Sequence, residues 1–263
     1  MISQPIMKSL SSLFSKSSIV DRTERNSKIL ILTGAGISAP SGISTFRNDP
    51  DSFWVKFDPD VVCHADTRND KAHFDFINTF KEKLKNSSPN EAHHLISKYQ
   101  RLFGSERVVV YTTNIDDLHQ MTGTRVVHLH GQIRYVKCEN KNCKYRADLG
   151  LEKLEMATRC PLGCGVNSNL RTQVVLFGET LGKEYEMILN DIENLREGDL
   201  FLSIGSSFSI FPFHQVVHDK KCRKVNVTLD QDQKTNNCFD KVYVNNVIET
   251  LSELENEFKN ILS

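Results

Sequence analysis

Lys28-Ile29-Leu30-Ile31-Leu32-Thr33-Gly34-Ala35-Gly36-Ile37-Ser38-Ala39 is the stretch that decides the fold. Its first six residues form a short apolar run, the pattern of a strand covered on both faces. Directly behind it, Gly34, Gly36 and Ala39 match the G-x-G-x-x-A spacing of a nucleotide-binding turn that opens into a helix. Glycine there permits the tight turn and lets backbone N–H groups approach a pyrophosphate at the helix N-terminus. A hydride-transfer enzyme of this design should show a second strand ending in an acid about twenty residues on, to hold the ribose hydroxyls. Here Asn48 to Asp70 is instead rich in aspartate, interrupted by Pro50 and Pro59, and without sustained periodicity. It reads as a loop over a site, and the dehydrogenase reading loses ground.

Outward from the turn, strand-like segments recur at Val108–Thr112, Val126–Leu129, Val174–Phe177, Leu200–Ile204 and Lys224–Leu229. Helical patterns lie between them. The clearest is Pro89–Phe103, where Ser88 serves as N-cap, Pro89 as first helical residue and Glu91 closes a capping box. Its stripe of Ala92, Leu95, Ile96, Tyr99 and Phe103 faces inward, and the C-terminal stretch repeats the period at Val247, Leu251, Leu254, Phe258 and Ile261. Alternating strands and helices predict an α/β fold, a Rossmann-like doubly wound parallel sheet. From about Arg134 to Arg171 the rhythm breaks into a polar, cysteine-bearing insertion. The expected organisation is an N-terminal extension over 1–27, a Rossmann-like domain from 28–133 and 172–263, and an inserted metal-binding module over 134–171.

The 263 residues suffice for one large core with a small module attached. Thirty-three basic and thirty-three acidic residues cancel, so no overall field draws the chain to nucleic acid or an anionic membrane surface. The apolar runs are strand-sized, far short of the roughly 20 residues a membrane helix needs. The first residues are serine-rich, with lysine and no acid, which leaves a mitochondrial transit peptide open, but cytoplasmic residence is the default expectation. Oligomeric state is not legible.

Three constellations carry chemistry. Thr112-Thr113-Asn114-Ile115-Asp116-Asp117-Leu118-His119 follows a strand at the edge where open α/β sheets gather their ligands. Next, Val126-Val127-His128-Leu129-His130-Gly131 brings two histidines, which period-two alternation puts on one face, so spacing alone does not choose between them. Histidine can take a proton near neutral pH. Finally, Cys138-x4-Cys143 and Cys160-x3-Cys164, sixteen residues apart, have spacings suited to a tetrahedral Zn2+ site that is closed and therefore structural. Cys63, Cys222 and Cys238 are isolated and read as small buried residues.

Taken together these motifs resemble the sirtuins, closest to the bacterial type. Gly34–Arg47 is similar to the family's GAG-x-S-x-x-SGI-x-x-FR signature, Thr112–His119 to its TQNID-x-LH, and Leu129–Gly131 to its LHG. Val174-Val175-Leu176-Phe177-Gly178-Glu179 resembles VV-x-FGE, and Gly205-Ser206-Ser207 and Asn226 resemble later nucleotide-site motifs. The resemblance implies an NAD-dependent protein-lysine deacylase with NAD as consumed co-substrate and one structural zinc. It assigns NAD contacts to Gly34, Ala35, Gly36, Ser38, Phe46, Arg47, Thr113, Asn114, Asp116, Gly205, Ser206, Ser207 and Asn226. His130, the histidine before Gly131, becomes the general base, with Asn114 and Asp116 positioning the nicotinamide carboxamide and a water. Val175, Phe177, Gly178 and Glu179 would meet the substrate backbone in a strand pairing. In such a reaction the acyl-lysine oxygen attacks C1′ of the ribose as nicotinamide leaves, and the base then helps the 2′-oxygen attack the resulting imidate. The products are lysine, nicotinamide and O-acyl-ADP-ribose.

Thr113 stands where the family usually has Gln, which keeps NAD glycohydrolase or ADP-ribosyl transfer as an alternative. Ile77 and Phe80 fall where family members that remove succinyl groups carry Tyr and Arg, so acetyl or apolar acyl groups are expected to be preferred. Lys81 and Lys83 lie close enough to supply a cation if the alignment slips.

Overall fold

The computed structural model describes residues 26–43, 57–165 and 168–263. A six-stranded parallel sheet forms its centre, in the order β3-β2-β1-β7-β8-β9. These strands are β1 Ile29–Thr33, β2 Val108–Thr112, β3 Val126–His128, β7 Leu200–Ile204, β8 Arg223–Thr228 and β9 Lys241–Val244. A second, antiparallel sheet orders β5-β4-β6 from β4 Tyr135–Cys138, β5 Arg146–Asp148 and β6 Leu170–Thr172.

Every residue of β1 is buried, as its continuous apolar run demands. Alternation then sorts its side chains. Ile29 and Ile31 face a core shared with Ala92, Ile96 and Tyr99 of α4 (Glu91–Phe103) and with Leu254, Phe258 and Leu262 of α9 (Leu251–Leu262). Leu30 and Leu32 face the other layer, against Tyr185, Ile188 and Ile192 of α6 (Lys183–Glu193) and Phe213 and Val217 of α7 (Phe213–His218). Each fully buried aliphatic side chain contributes about 1.5–3 kcal/mol, so two packed faces hold the sheet. The chain runs from β1 outward to β2 and β3, then returns to the far side of β1 with β7. The strand order therefore reverses between β1 and β7, where doubly wound sheets open a ligand crevice at the carboxyl ends. Thr33 lies level with Thr112 on one side and Ile204 on the other.

Four sequence expectations need correction. Val174–Phe177 joins neither sheet: the Val175 N–H donates to the His130 carbonyl at 2.9 Å, and Phe177 makes only an isolated parallel bridge to His64, its N–H donating to the Cys63 carbonyl at 2.8 Å. Residues 57–70 are not irregular. They hold a short helix, α2 (Pro59–Val62), because Asp58 caps the Asp60 N–H at 3.0 Å and Pro59 sits at its first turn. The α4 helix starts at Glu91 rather than Pro89, with Asn90 instead of Ser88 as cap. Asn90 Oδ1 accepts from the Ala92 N–H at 3.0 Å and His93, not Glu91, closes the box. Cys63 and Cys238 are only half-buried, although Cys222 is buried.

The antiparallel sheet has its own small core of Val136, Leu154, Leu170 and three cysteines, into which helix α3 (Lys71–Lys85) inserts Phe74. The same helix grips this module by polar bonds. Asn78 exchanges two hydrogen bonds with the Leu154 backbone, at 3.1 and 2.9 Å, and Lys81 Nζ donates to the Glu152 carbonyl at 2.8 Å.

Candidate active site and cysteine cluster

The glycine turn after β1 has a tighter job than cradling phosphate with its own N–H groups. Gly34 and Gly36 donate to the Ile204 and Gly205 carbonyls, both at 3.0 Å. A Cβ at Gly36 would lie 2.5 Å from Gly205 Cα. These glycines let the turns after β1 and β7 interlock across the switch point. The helix behind them, α1 (Ala35–Ser38), is a single turn. Ala35 and Gly36 remain half-buried and Ser207 is exposed along the crevice edge, whereas Ser206 is buried.

Ser38 joins two predicted site residues. Its hydroxyl donates to Asp116 Oδ2 at 3.0 Å and accepts from Asn114 Nδ2 at 3.1 Å. The other Asn114 amide proton goes to the Gly34 carbonyl at 3.1 Å, so the side chain's remaining offer to a ligand is its oxygen. Burial pushes the Asp116 carboxyl up to about 6, against the opposing pull of the Leu118 N–H and Ser38. Thr113 points back, its hydroxyl donating to the Thr33 carbonyl at 3.2 Å.

The two histidines separate because β3 ends at His128. His128 is tied at both nitrogens, Nδ1 at 2.9 Å from the Asn114 carbonyl and Nε2 beside the Gln120 side chain of α5 (Leu118–Met121). His130, past the strand, turns instead to α6, with Nε2 2.7 Å from the Tyr185 hydroxyl. Desolvation lowers its pKa to about 4, so the ring is neutral at pH 7. Gly131 has φ +73°, and a Cβ there would stand 1.9 Å from the Gln173 carbonyl oxygen. Only glycine lets the 173–179 segment pass so close to His130. That segment closes on itself: Glu179 pairs with Arg171 and accepts from the Leu176 N–H at 3.0 Å, while Arg171 also reaches the Val174 carbonyl at 3.1 Å. Gly178 lies against His64, and Phe177 bridges to it.

At the far end of the crevice, Asn226 is 1% exposed and donates to Asn236 at 3.1 Å, but its Oδ1 has no partner. An orphaned acceptor in the carboxyl-terminal half of β8, level with Ser203, suits a sugar hydroxyl. Phe46 and Arg47 lie outside the described residues, as does most of the 1–27 extension.

The Sγ atoms of Cys138, Cys143, Cys160 and Cys164 all lie within 4.8 Å of one another. Closest are Cys138 with Cys164 at 3.4 Å and Cys143 with Cys160 at 3.8 Å. Sulfurs about 2.3 Å from a tetrahedral Zn2+ stand about 3.8 Å apart, so the donor set and its spread fit that ion.

Compared with known families, residues 34–212 match the model of the Sir2 family. The chain belongs to the Sir2 family. Its Sir2 relatives include an NAD-dependent protein deacylase of Campylobacter jejuni strain RM1221, 32% identical over 238 residues covering 89% of this chain and 97% of that one. Another is NAD-dependent protein deacylase 2 of Archaeoglobus fulgidus, 32% identical over 89% of this chain and 92% of its own. Among solved structures, a Sir2 homologue mutant in complex with ADP ribose superposes with a TM-score of 0.75 at 28% identity, covering 89% of this chain and 92% of the other. A Sir2 homologue–NAD complex gives 0.75 at 26% identity, covering 100% and 96%.

The sequence motifs did not reveal Tyr185 or Arg171, whose partners lie 55 and 8 residues away. A signal existed for Tyr185 in the buried i, i+3, i+7 stripe Tyr185, Ile188, Ile192, but that pattern says core and nothing of a hydroxyl beside His130. Among the described residues no helix is long and apolar enough to cross a membrane.

Proposed function

We propose that the protein is an NAD-dependent protein-lysine deacylase, acting on acylated lysine side chains of proteins and releasing nicotinamide and O-acyl-ADP-ribose. The observations that carry this reading are the neutral His130 ring and the Asn114–Ser38–Asp116 chain tied to the interlocked Gly34–Ser38 turn, in a member of the Sir2 family. NAD supplies the electrophilic ribose carbon. The crevice between β1 and β7 receives its nucleotide, with the Asn226 oxygen for a sugar hydroxyl. The Asn114 amide oxygen and Asp116 orient the nicotinamide carboxamide and a water. His130 takes a proton at Nε2 from a ribose hydroxyl after nicotinamide has left, which a neutral imidazole can do and an imidazolium cannot. Val175, Phe177 and Gly178 line the approach of the substrate backbone, and Glu179 holds that turn through Arg171. Cys138, Cys143, Cys160 and Cys164 hold one zinc, whose filled sphere leaves no position for substrate.

Acetyl and longer apolar acyl groups are preferred over succinyl. Ile77 and Phe80 are buried with Val174, Leu176 and Ile133, and Lys81 is turned to Glu152. The deciding experiment incubates the purified protein with NAD, with and without an acetyl-lysine peptide. Nicotinamide release that depends on the peptide and matches its deacetylation is the expected result. Equal NAD consumption without peptide, or transfer of ADP-ribose to protein, would replace the deacylase by a glycohydrolase or transferase.

A further inference from the structure

Tyr185 belongs to no sequence motif, yet its hydroxyl touches the ring proposed as base. The side chain is 3% exposed and packed against the Phe211–Phe213 pair, with centroids 5.5 and 5.8 Å away. Its ring lies nearly parallel to the His130 imidazole, at 27°. In this aromatic wall the Tyr185 hydroxyl makes its 2.7 Å bond to His130 Nε2. The imidazole also meets the backbone carbonyl of Thr113. A base must offer a lone pair, so with Nε2 as the basic nitrogen of a neutral ring the tyrosine hydroxyl donates to Nε2 and the proton sits on Nδ1.

We infer that Tyr185 is a positioning residue for His130, fixing the tautomer in which Nε2 is the basic nitrogen and holding the ring between the Thr113 carbonyl and its own hydroxyl. The inference rests on His130 being the base. A hydroxyl can both donate and accept, so the same contact serves the ring after protonation, when Nε2–H donates to the tyrosine oxygen. A ribose hydroxyl reaching Nε2 shares that nitrogen's lone pair with the tyrosine hydroxyl, which stays in contact with the ring.

Tyr185→Phe removes the donor and keeps the aromatic packing. Nicotinamide exchange from the first intermediate does not need the base, whereas completion of deacylation does. The ratio of deacylation to exchange is therefore expected to fall at least fivefold in Tyr185→Phe. The 15N spectrum of His130 in the ligand-free protein is expected to move from one tautomer, protonated at Nδ1, to a mixture. An unchanged ratio together with an unchanged tautomer overturns the inference, as does a wild-type protein already protonated at Nε2. Failure of the underlying reading looks different: His130→Ala would retain deacylation, while the tautomer shift in Tyr185→Phe would still be seen.

Discussion

The Ser38 hydroxyl donates to Asp116 Oδ2 at 3.0 Å, and the carboxylate it meets is 3% exposed. Burial raises the Asp116 pKa from 3.8 to about 6. As pH falls, the native protein takes up this proton before the unfolded chain does. Asp116 thus favours the fold below about pH 4, and that advantage is lost as pH rises through about 6. Asp116→Asn cannot ionise. It should come close to the wild type at pH 3.5 and be more stable at pH 7.5, by on the order of 1–3 kcal/mol, while deacylation drops at least 100-fold. Thermal melts at the two pH values check this; a variant less stable at pH 7.5 would contradict it.

The histidine pair makes opposite demands. His128 serves the Asn114 carbonyl and Gln120, so His128→Ala leaves a buried carbonyl without its donor and should cost about 1–3 kcal/mol of stability, with activity only partly reduced. His130→Ala leaves the buried Tyr185 hydroxyl without its partner and should cost a similar amount, about 1–3 kcal/mol, but it should bind NAD within a few-fold and lose deacylation at least 100-fold. Activity measured on both folded variants separates the roles. An inactive His128→Ala beside an active His130→Ala would reverse them.

Legibility followed the range of the forces involved. The β1, β2 and β7 strands were read to within a residue because continuous apolar runs report burial on both faces locally. Val174–Phe177 shows the same local pattern and forms no strand, since pairing depends on a partner that sequence does not display. The antiparallel strands Tyr135–Cys138, Arg146–Asp148 and Leu170–Thr172 are only three or four residues long and carry charged residues, too short and polar for a period to show. At the site, the four cysteines were legible from spacing, whereas the choice of His130 over His128 came from the resemblance that Gly131 carries. The work of Gly36 was not, because its constraint is a turn some 170 residues away.

Zinc should be needed for more than the module that holds it. Cys138, Cys143 and Cys160 make up three of the seven buried members of that core, so without metal too little apolar surface remains to order it. Chelation, or Cys160→Ser, should release the Phe74, Asn78 and Lys81 contacts along α3 as well. Hydrogen exchange is expected to rise in residues 135–172 and along Lys71–Lys85 while β1, β2 and β7 stay protected. Elemental analysis should find one zinc per chain. A metal-free protein with full activity would be the contrary result.

Acyl choice turns on what α3 presents to the 174–176 segment. Ile77 is 1% exposed and Phe80 7%, both packed with Val174, Leu176, Ile133 and Leu118. A succinyl-lysine would bring a carboxylate into these surroundings, and an unpaired buried charge costs several kcal/mol. The adjacent cation does not answer it, since Lys81 Nζ donates to the Glu152 carbonyl on the module side, and desolvation lowers its pKa to about 8. Acetyl and butyryl peptides should therefore exceed succinyl by at least tenfold in kcat/KM, about 1.4 kcal/mol in barrier. Supplying the missing partner tests the same account from the other side: Ile77→Tyr with Phe80→Arg should narrow the gap, because a guanidinium pairs a carboxylate bidentately. Matched peptides assayed at one NAD concentration measure both effects. A wild-type rate on succinyl equal to that on acetyl would overturn this reading of the pocket.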